Sequence, residues 1–176
     1  MPFFPEYEIK KQVMDLHMGD KVHYCYQCGR CDDVCPVTKL VGADRYSPRS
    51  LVMLGLLGLT HVLLVDTPKN QFALWGCQTC DLCDEICPND IVLTDIFNIL
   101  KNASIKQQLA PEAYQQQAKM VMETGYSVPL QDAIARRRDK MELPELPKAD
   151  LTEIQKILKI TNFDKKIGYE APKEEN

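Results

Sequence analysis

Cys25-Tyr26-Gln27-Cys28-Gly29-Arg30-Cys31-Asp32-Asp33-Val34-Cys35-Pro36 is the stretch on which the reading of this chain turns. It occurs again as Cys77-Gln78-Thr79-Cys80-Asp81-Leu82-Cys83-Asp84-Glu85-Ile86-Cys87-Pro88. Both copies are C-x2-C-x2-C-x3-C-P, the spacing that holds 4Fe–4S clusters in two-cluster ferredoxins. Together they use all eight cysteines of the 176-residue chain. A cubane needs one thiolate at each iron corner. Three cysteines with two residues between each pair wrap one cube, and the fourth ligand comes from the other run's last cysteine. The expected sets are therefore Cys25, Cys28, Cys31 and Cys87 for one 4Fe–4S cluster, and Cys77, Cys80, Cys83 and Cys35 for the second. Pro36 and Pro88 lack an N–H and have a fixed φ, so each ends its turn. Structural zinc pairs two C-x2-C units on one ion, which this spacing fits poorly. Disulfides between cysteines two residues apart would close strained loops.

The copies agree past the cysteines. Asp32 and Asp33 align with Asp84 and Glu85, and Val34 aligns with Ile86. They differ at Arg30 in the first and at Asp81 and Leu82 in the second. Positive charge favours a reduced cluster, so the cluster on Cys25, Cys28 and Cys31 is expected to have the higher potential.

The formal net charge is −4, and cluster thiolates would make the chain more acidic. That balance argues against nucleic-acid binding, which uses a basic face. Free thiolate ligands imply a reducing compartment, hence the cytoplasm. The start of the chain has neither the basic residues nor the long apolar core of a signal peptide. The most apolar stretch, Leu51 to Val65, has 15 residues and is interrupted by Gly55, Gly58 and His61. A membrane span needs about 20, so the expectation is a buried helix and no transmembrane segment.

Helical spacing marks residues 6 to 18, where Ile9, Val13 and Leu16 share a face. The 41 residues between Cys35 and Cys77 are too many for half of a compact β ferredoxin. Ser47-Pro48 reads as an N-cap followed by proline at the first helical position, predicting a helix from about Pro48 to Thr60. Asp66 to Asn70 reads as a loop, and Trp75 is expected either to pack beside a cluster and screen it from water or to be an ordinary core residue. Further helices are expected after Pro88 to about Ala103, from Pro111 to near Gly125, and over 130 to 140. The last ends in Arg136, Arg137, Arg138 and Lys140, either a solvated face or a dock for an acidic partner. Leu143 to Pro147 reads as an extended linker. Asp150 with Glu153 reads as a capping box before an apolar face of Leu151, Ile154, Ile157 and Leu158. Glu170 to Asn176 is expected to be disordered or bound to a partner. His23, two residues before Cys25, is a weak candidate for the cluster environment. No Ser/His/Asp triad, P-loop or G-x-G-x-x-G is present, and no catalytic residue is assigned.

A helical frame around two such runs resembles the α-helical ferredoxin fold of fumarate reductase iron–sulfur subunits and heterodisulfide reductases. Cys25-Tyr-Gln-Cys-Gly, Tyr46-Ser-Pro-Arg and Leu74-Trp-Gly-Cys-Gln-Thr-Cys look most like the iron–sulfur subunit (component C) of cytoplasmic CoB–CoM heterodisulfide reductase. Glu123-Thr-Gly-Tyr-Ser-Val-Pro129 and Thr161-Asn-Phe-Asp164 add to the likeness, which covers nearly the whole chain. The resemblance implies an all-α domain over 1–105 with two 4Fe–4S clusters and a helical extension over 106–176 for partner docking. It also implies a non-catalytic electron relay. Electrons would pass from a flavin-bearing iron–sulfur subunit (component A) to a CCG-motif catalytic subunit (component B). Component B reduces the mixed disulfide of coenzyme M and coenzyme B, in methanogenesis with flavin-based electron bifurcation. A hydrogenase or formate dehydrogenase would be a further partner in a larger complex. This chain has no CCG motif, so the disulfide-reducing site is not expected here. The alternative is an electron-transfer subunit of another Hdr-like or quinone-linked complex. The iron–sulfur subunit of fumarate or succinate oxidoreductase would carry a further C-x4-C-x2-C run, which this sequence lacks.

Overall fold

The computed structural model describes residues 5–17, 19–128, 131–144 and 150–169. Every regular element among them is helical. The chain divides into two compact units, Met1–Ala110 and Pro111–Asn176.

The first unit contains α1 (Tyr7–Met14), a 3₁₀ turn (Gly19–Tyr24), α2 (Arg30–Val34), α3 (Pro36–Val41) and α4 (Pro48–Leu57). They are followed by α5 (Thr60–Leu63), α6 (Pro68–Trp75), α7 (Leu82–Glu85) and α8 (Leu93–Lys106). Its core is the mutual packing of α1, α4 and α8. Ile9 and Val13 of α1 are buried with Leu51 and Val52 of α4 and Ile96, Phe97 and Leu100 of α8. Gly55, which interrupts the apolar run in sequence, sits where these helices meet. A Cβ there would lie 2.8 Å from Ile96 Cγ2 and 3.5 Å from Val13 Cγ2. The missing side chain is what lets the helices approach. The short helices α2 and α7, one from each cysteine run, pack against each other.

Ser47 caps α4 as its sequence suggests: its Oγ accepts from the Ser50 N–H at 3.1 Å, with Pro48 in the first turn. The helix stops at Leu57, short of Thr60. Gly58 takes a left-handed φ of 64° and its N–H returns to the carbonyls of Leu54 and Gly55. Leu51 to Val65 is therefore two helices joined at a glycine cap, not one buried helix. No helix among the described residues is long and apolar enough to cross a membrane. A second correction falls at 66–70, expected as a loop. Thr67-Pro68 repeats the Ser47-Pro48 signal, Thr67 Oγ1 accepts from the Asn70 N–H at 3.2 Å, and α6 begins there.

The second unit contains α9 (Glu112–Thr124), α10 (Asp132–Lys140), α11 (Leu151–Ile160) and α12 (Phe163–Lys166). Gly125 ends α9 at φ 74°. Asp150 caps α11, its Oδ1 accepting from the N–H groups of Thr152 and Glu153. The helices α9 and α11 pack together, and Gln155 Nε2 donates to the Met122 carbonyl at 3.0 Å. Ile154 and Leu158 of α11 are half-buried, but Leu151 and Ile157 on the expected apolar face stay exposed. The helix α10 buries no residue. The linker reading at Leu143 to Pro147 reaches past Pro144, and the tail reading at 170–176 falls wholly outside the described residues.

Candidate iron–sulfur centres

The two runs share one backbone path. Gln27 and Thr79, at equivalent positions, both have positive φ, 55° and 52°. Gly29 and Asp81 follow at 80° and 59°. Glycine adopts this region freely, whereas aspartate tolerates it at a cost. The turn then closes onto a short helix: the Asp33 N–H donates to the Gly29 carbonyl at 3.0 Å, and the Glu85 N–H to the Asp81 carbonyl at 3.1 Å. The fourth cysteine of each run is held the same way. The Cys35 N–H donates to the Asp32 carbonyl and the Cys87 N–H to the Asp84 carbonyl, at 3.3 and 3.2 Å. Pro36 does more than end its turn; it starts α3 immediately, with Cys35 as N-cap.

The acidic residue after each third cysteine grips the start of a long helix. Asp32 is buried and accepts from Ser47 Oγ at 3.0 and 2.9 Å and from the Arg49 N–H at 3.0 Å, all at the start of α4. Asp84 accepts from the Leu93 N–H at 2.7 Å, from the Thr94 N–H at 3.2 Å and from Thr94 Oγ1, at the start of α8. Carboxylate at a helix N-terminus satisfies orphan N–H donors and complements the dipole. The sequence repeat is thus a structural repeat: cysteine turn, aspartate, helix N-terminus.

Two cavities result. One, of about 420 Å³ including its mouth, is lined by Cys25, Cys28, Cys31 and Cys87, with Arg30, Arg49 and Val52 among its walls. The other, of about 340 Å³, is lined by Cys35, Cys77, Cys80 and Cys83, with Tyr46, Pro48 and Phe97. All eight cysteines are free thiols. Each cavity collects three from one run and the last from the other. Among the described residues no group of three or more His, Cys, Asp or Glu side chains is placed to hold a metal ion. The sulfurs line each cavity, which suits a cluster in which each thiolate binds a different iron.

Four sulfur donors at each cavity are the ligand chemistry of iron–sulfur clusters. Burial, and then the Asp32 charge, push the Cys31 thiol up to about 12. Burial and Asp84 raise Cys83 in the same way. Such thiols stay protonated near neutral pH until a metal displaces the proton. Gln27 Nε2 lies 3.2 Å from Cys25 Sγ, and the Thr79 N–H points at Cys77 Sγ from 3.4 Å. Cys28 and Cys80, the middle cysteines, are exposed, while Cys35 and Cys83 are buried.

Trp75 does not screen either cavity. It is buried, its Nε1 donates to Ser104 Oγ at 3.3 Å, and it lines a separate apolar pocket with Leu63, Leu74 and Leu109. His23 is exposed and lines neither cavity. The aromatic residues at the second cavity are Tyr46 and Phe97. Sequence reasoning gave Tyr46 and Arg49 no role at a site, although both belong to the Tyr46-Ser47-Pro48-Arg49 segment that marks a helix start. Tyr46 and Pro48 line the second cavity, Ser47 binds Asp32, and Arg49 lines the first and pairs with Asp32 at 3.5 Å.

Tyr46 is 2 % exposed. Burial, then the neighbouring Cys77 to which it hydrogen-bonds, push its hydroxyl far above the usual phenol range. It therefore remains a proton donor toward that sulfur. Hydrogen bonds to cluster sulfurs stabilise the more negative, reduced state. Tyr46→Phe is expected to lower the potential of one cluster, leave the other unmoved and keep the iron content, as read by EPR-monitored redox titration.

Residues 21–91 match the model of a 4Fe–4S dicluster domain. Fold, cavities and match together define an all-helical iron–sulfur protein with two 4Fe–4S clusters. The chain is 35 % identical over 169 residues to the C component, the iron–sulfur subunit, of CoB–CoM heterodisulfide reductase from Methanopyrus kandleri, covering 93 % of this chain and 84 % of the relative. It is 34 % identical over 157 residues to the C component of the H2:CoB–CoM heterodisulfide, ferredoxin reductase of Methanothermobacter thermautotrophicus, with 86 % and 80 % coverage. A protein of Archaeoglobus profundus named as like the C component of heterodisulfide reductase is 30 % identical over 168 residues, with 90 % and 84 % coverage. The chain belongs to the family of C-component iron–sulfur subunits of heterodisulfide reductase.

Proposed function

We propose that this chain is the electron relay of a heterodisulfide reductase complex, carrying no catalytic site of its own. Cys25, Cys28, Cys31 and Cys87 would hold one cluster, and Cys77, Cys80, Cys83 and Cys35 the other. Each 4Fe–4S cluster, when bound, takes up and returns one electron. The observation that carries the reading is that consecutive residues of the chain line the two cavities. Pro48 lines one and Arg49 the other; Leu93 lines one and Thr94 the other. The N-terminal ends of α4 and α8 thus present neighbouring residues to the two cavities, as do the α2 and α7 runs, where Cys31 and Cys87 line one and Cys35 and Cys83 the other. Val52 and Ile91 on one side and Phe97 on the other keep water from the inner walls, while Cys28 and Cys80 reach the surface.

The partners in this reading are a flavin-bearing iron–sulfur subunit and a CCG-motif subunit that reduces the coenzyme M–coenzyme B disulfide. They meet in the cytoplasm, within a bifurcating complex that also takes in a hydrogenase or formate dehydrogenase. The second unit serves as the docking extension; the exposed Leu151 and Ile157 of α11 and the α10 helix, which buries no residue, support that role. The name of the Archaeoglobus relative supports a second reading, a relay in a related Hdr-like complex. Anaerobic co-purification of the native complex, with its flavin and CCG subunits identified, tests the first reading. Reversible bleaching of the isolated chain by dithionite tests the relay chemistry. Protein that contains zinc, or that does not bleach, would end the proposal.

Arg30 and Arg49 line the first cavity, and Asp81 is the charged residue lining the second. The cluster on Cys25, Cys28, Cys31 and Cys87 should therefore titrate at the higher potential. A redox titration of the wild-type chain that finds the reverse order would refute this.

A further inference from the structure

The two cavities open to solvent through rims of opposite charge. Arg30, exposed, and Arg49, which is 42 % exposed along its side chain, stand at the mouth beside Cys28. Arg49 is fixed in place: its Nε pairs with Asp32 and its Nη1 donates to the Gln27 carbonyl at 3.4 Å. Arg30 takes part in neither of the two ion pairs among the described residues. Asp33, one turn further along α2, does not line the cavity, and Asp90 at the same end is paired with Lys21 at 3.2 Å. Tyr26, also on this rim, is 71 % exposed, and the neighbouring Tyr24 is 68 % exposed. At the other mouth, beside Cys80, the charged lining residue is Asp81, with the exposed Leu82 next to it.

With Arg49 paired to Asp32, the basic character of this rim rests on Arg30, a local feature on a chain of net charge −4. Exposed tyrosine beside arginine is the composition of interface anchors, and charge at a rim sets orientation and on-rate. We infer that the Cys28 mouth is the docking surface for a redox partner whose contacting face is acidic, carrying carboxylates around its own electron-exchanging group. The acidic and apolar Cys80 mouth rejects that face, so the charges orient the relay between two different partners. This rests on the relay reading above.

The test uses the full chain with both clusters loaded and the separately purified flavin-bearing and CCG-motif subunits of its own complex. Affinity is measured for each of the two over a salt series. Arg30→Glu is expected to weaken binding of one of them about tenfold at low salt, the scale of rim-charge effects on encounter. That difference should shrink as salt screens the contact. Arg30→Gln should give a smaller loss and Tyr26→Ala a salt-independent one, while Asp81→Asn should leave the affinity for that same partner unchanged. Iron and sulfide content, measured on every variant, separates a docking defect from a damaged cluster. Unchanged affinity of cluster-loaded Arg30→Glu protein for both partners overturns the docking surface while leaving the relay intact. A wild-type chain that binds neither overturns both.

Discussion

Cys35→Ser protein is expected to keep one cluster and lose the other, so that its iron falls from roughly eight to roughly four atoms per chain. The cluster lost should be the one facing Cys77, Cys80 and Cys83, although Cys35 belongs in sequence to the first run. The reason lies in where the chain carries it. Cys35 is 9 % exposed, sits at the junction of α2 and α3, and lines the second cavity, whereas Cys25, Cys28 and Cys31 line the first. Serine fills nearly the same space but supplies a hydroxyl, a poor ligand beside a thiolate. Thermal stability should fall with the cluster, because the cavity joins residues 35 and 77 to 83 across 41 intervening positions. The surviving EPR signal identifies which cluster remains. It should be indifferent to a second change, Tyr46→Phe, because Tyr46 lines only the lost site. A surviving signal that shifts with Tyr46→Phe would mean that each run keeps its own fourth cysteine.

Asp84→Ala is expected to destabilise the chain by on the order of 3 kcal/mol. The carboxylate accepts from the Leu93 N–H, the Thr94 N–H and Thr94 Oγ1, and alanine leaves all of them without their charged acceptor at the start of α8. Bonds to an ionised acceptor are stronger than neutral ones, and orphaned donors in a half-buried place cost more than the bond was worth. Asp32→Ala should cost a similar amount through Ser47 Oγ and the Arg49 N–H, and it also strips Arg49 of its partner. Asn at either position keeps one acceptor and turns an amide donor toward the remaining N–H groups, so its loss should be intermediate. Cluster loss makes unfolding irreversible, so the measurement is the anaerobic unfolding rate at fixed temperature. The start of α8 also lines both cavities, through Leu93 and Thr94. Asp84→Ala should therefore release iron faster than a core substitution of equal destabilisation. Equal release rates would mean that the aspartate only supports the helix.

Local chemistry makes much of this protein legible without coordinates. The cysteine spacing points to cubane clusters, and two 4Fe–4S clusters fit the dicluster match and the free thiols. Ser47-Pro48, Gly125 and Asp150 mark helix ends that the structure contains, because capping depends on residues three or four positions apart. Thr67-Pro68 carries the same kind of signal, but the charged and polar residues around it give the segment the composition of a loop. Gly58 has the sequence context of an interruption within a helix, whereas its left-handed conformation ends one.

Residue types at short, covalently set spacings are enough to specify the cofactor class and the helical class, and likeness to relatives over most of the chain gives the family. They do not specify that Asp32 and Asp84 seize the N-termini of α4 and α8. Nor do they place Tyr46 and Arg49 at opposite cavities from one tetrapeptide, or turn Trp75 away from both. Those outcomes come from the folded chain, through the way α1, α4 and α8 cross over Gly55. A helix crossing is set by the fit of side chains distant in sequence, and no short-range pattern encodes it.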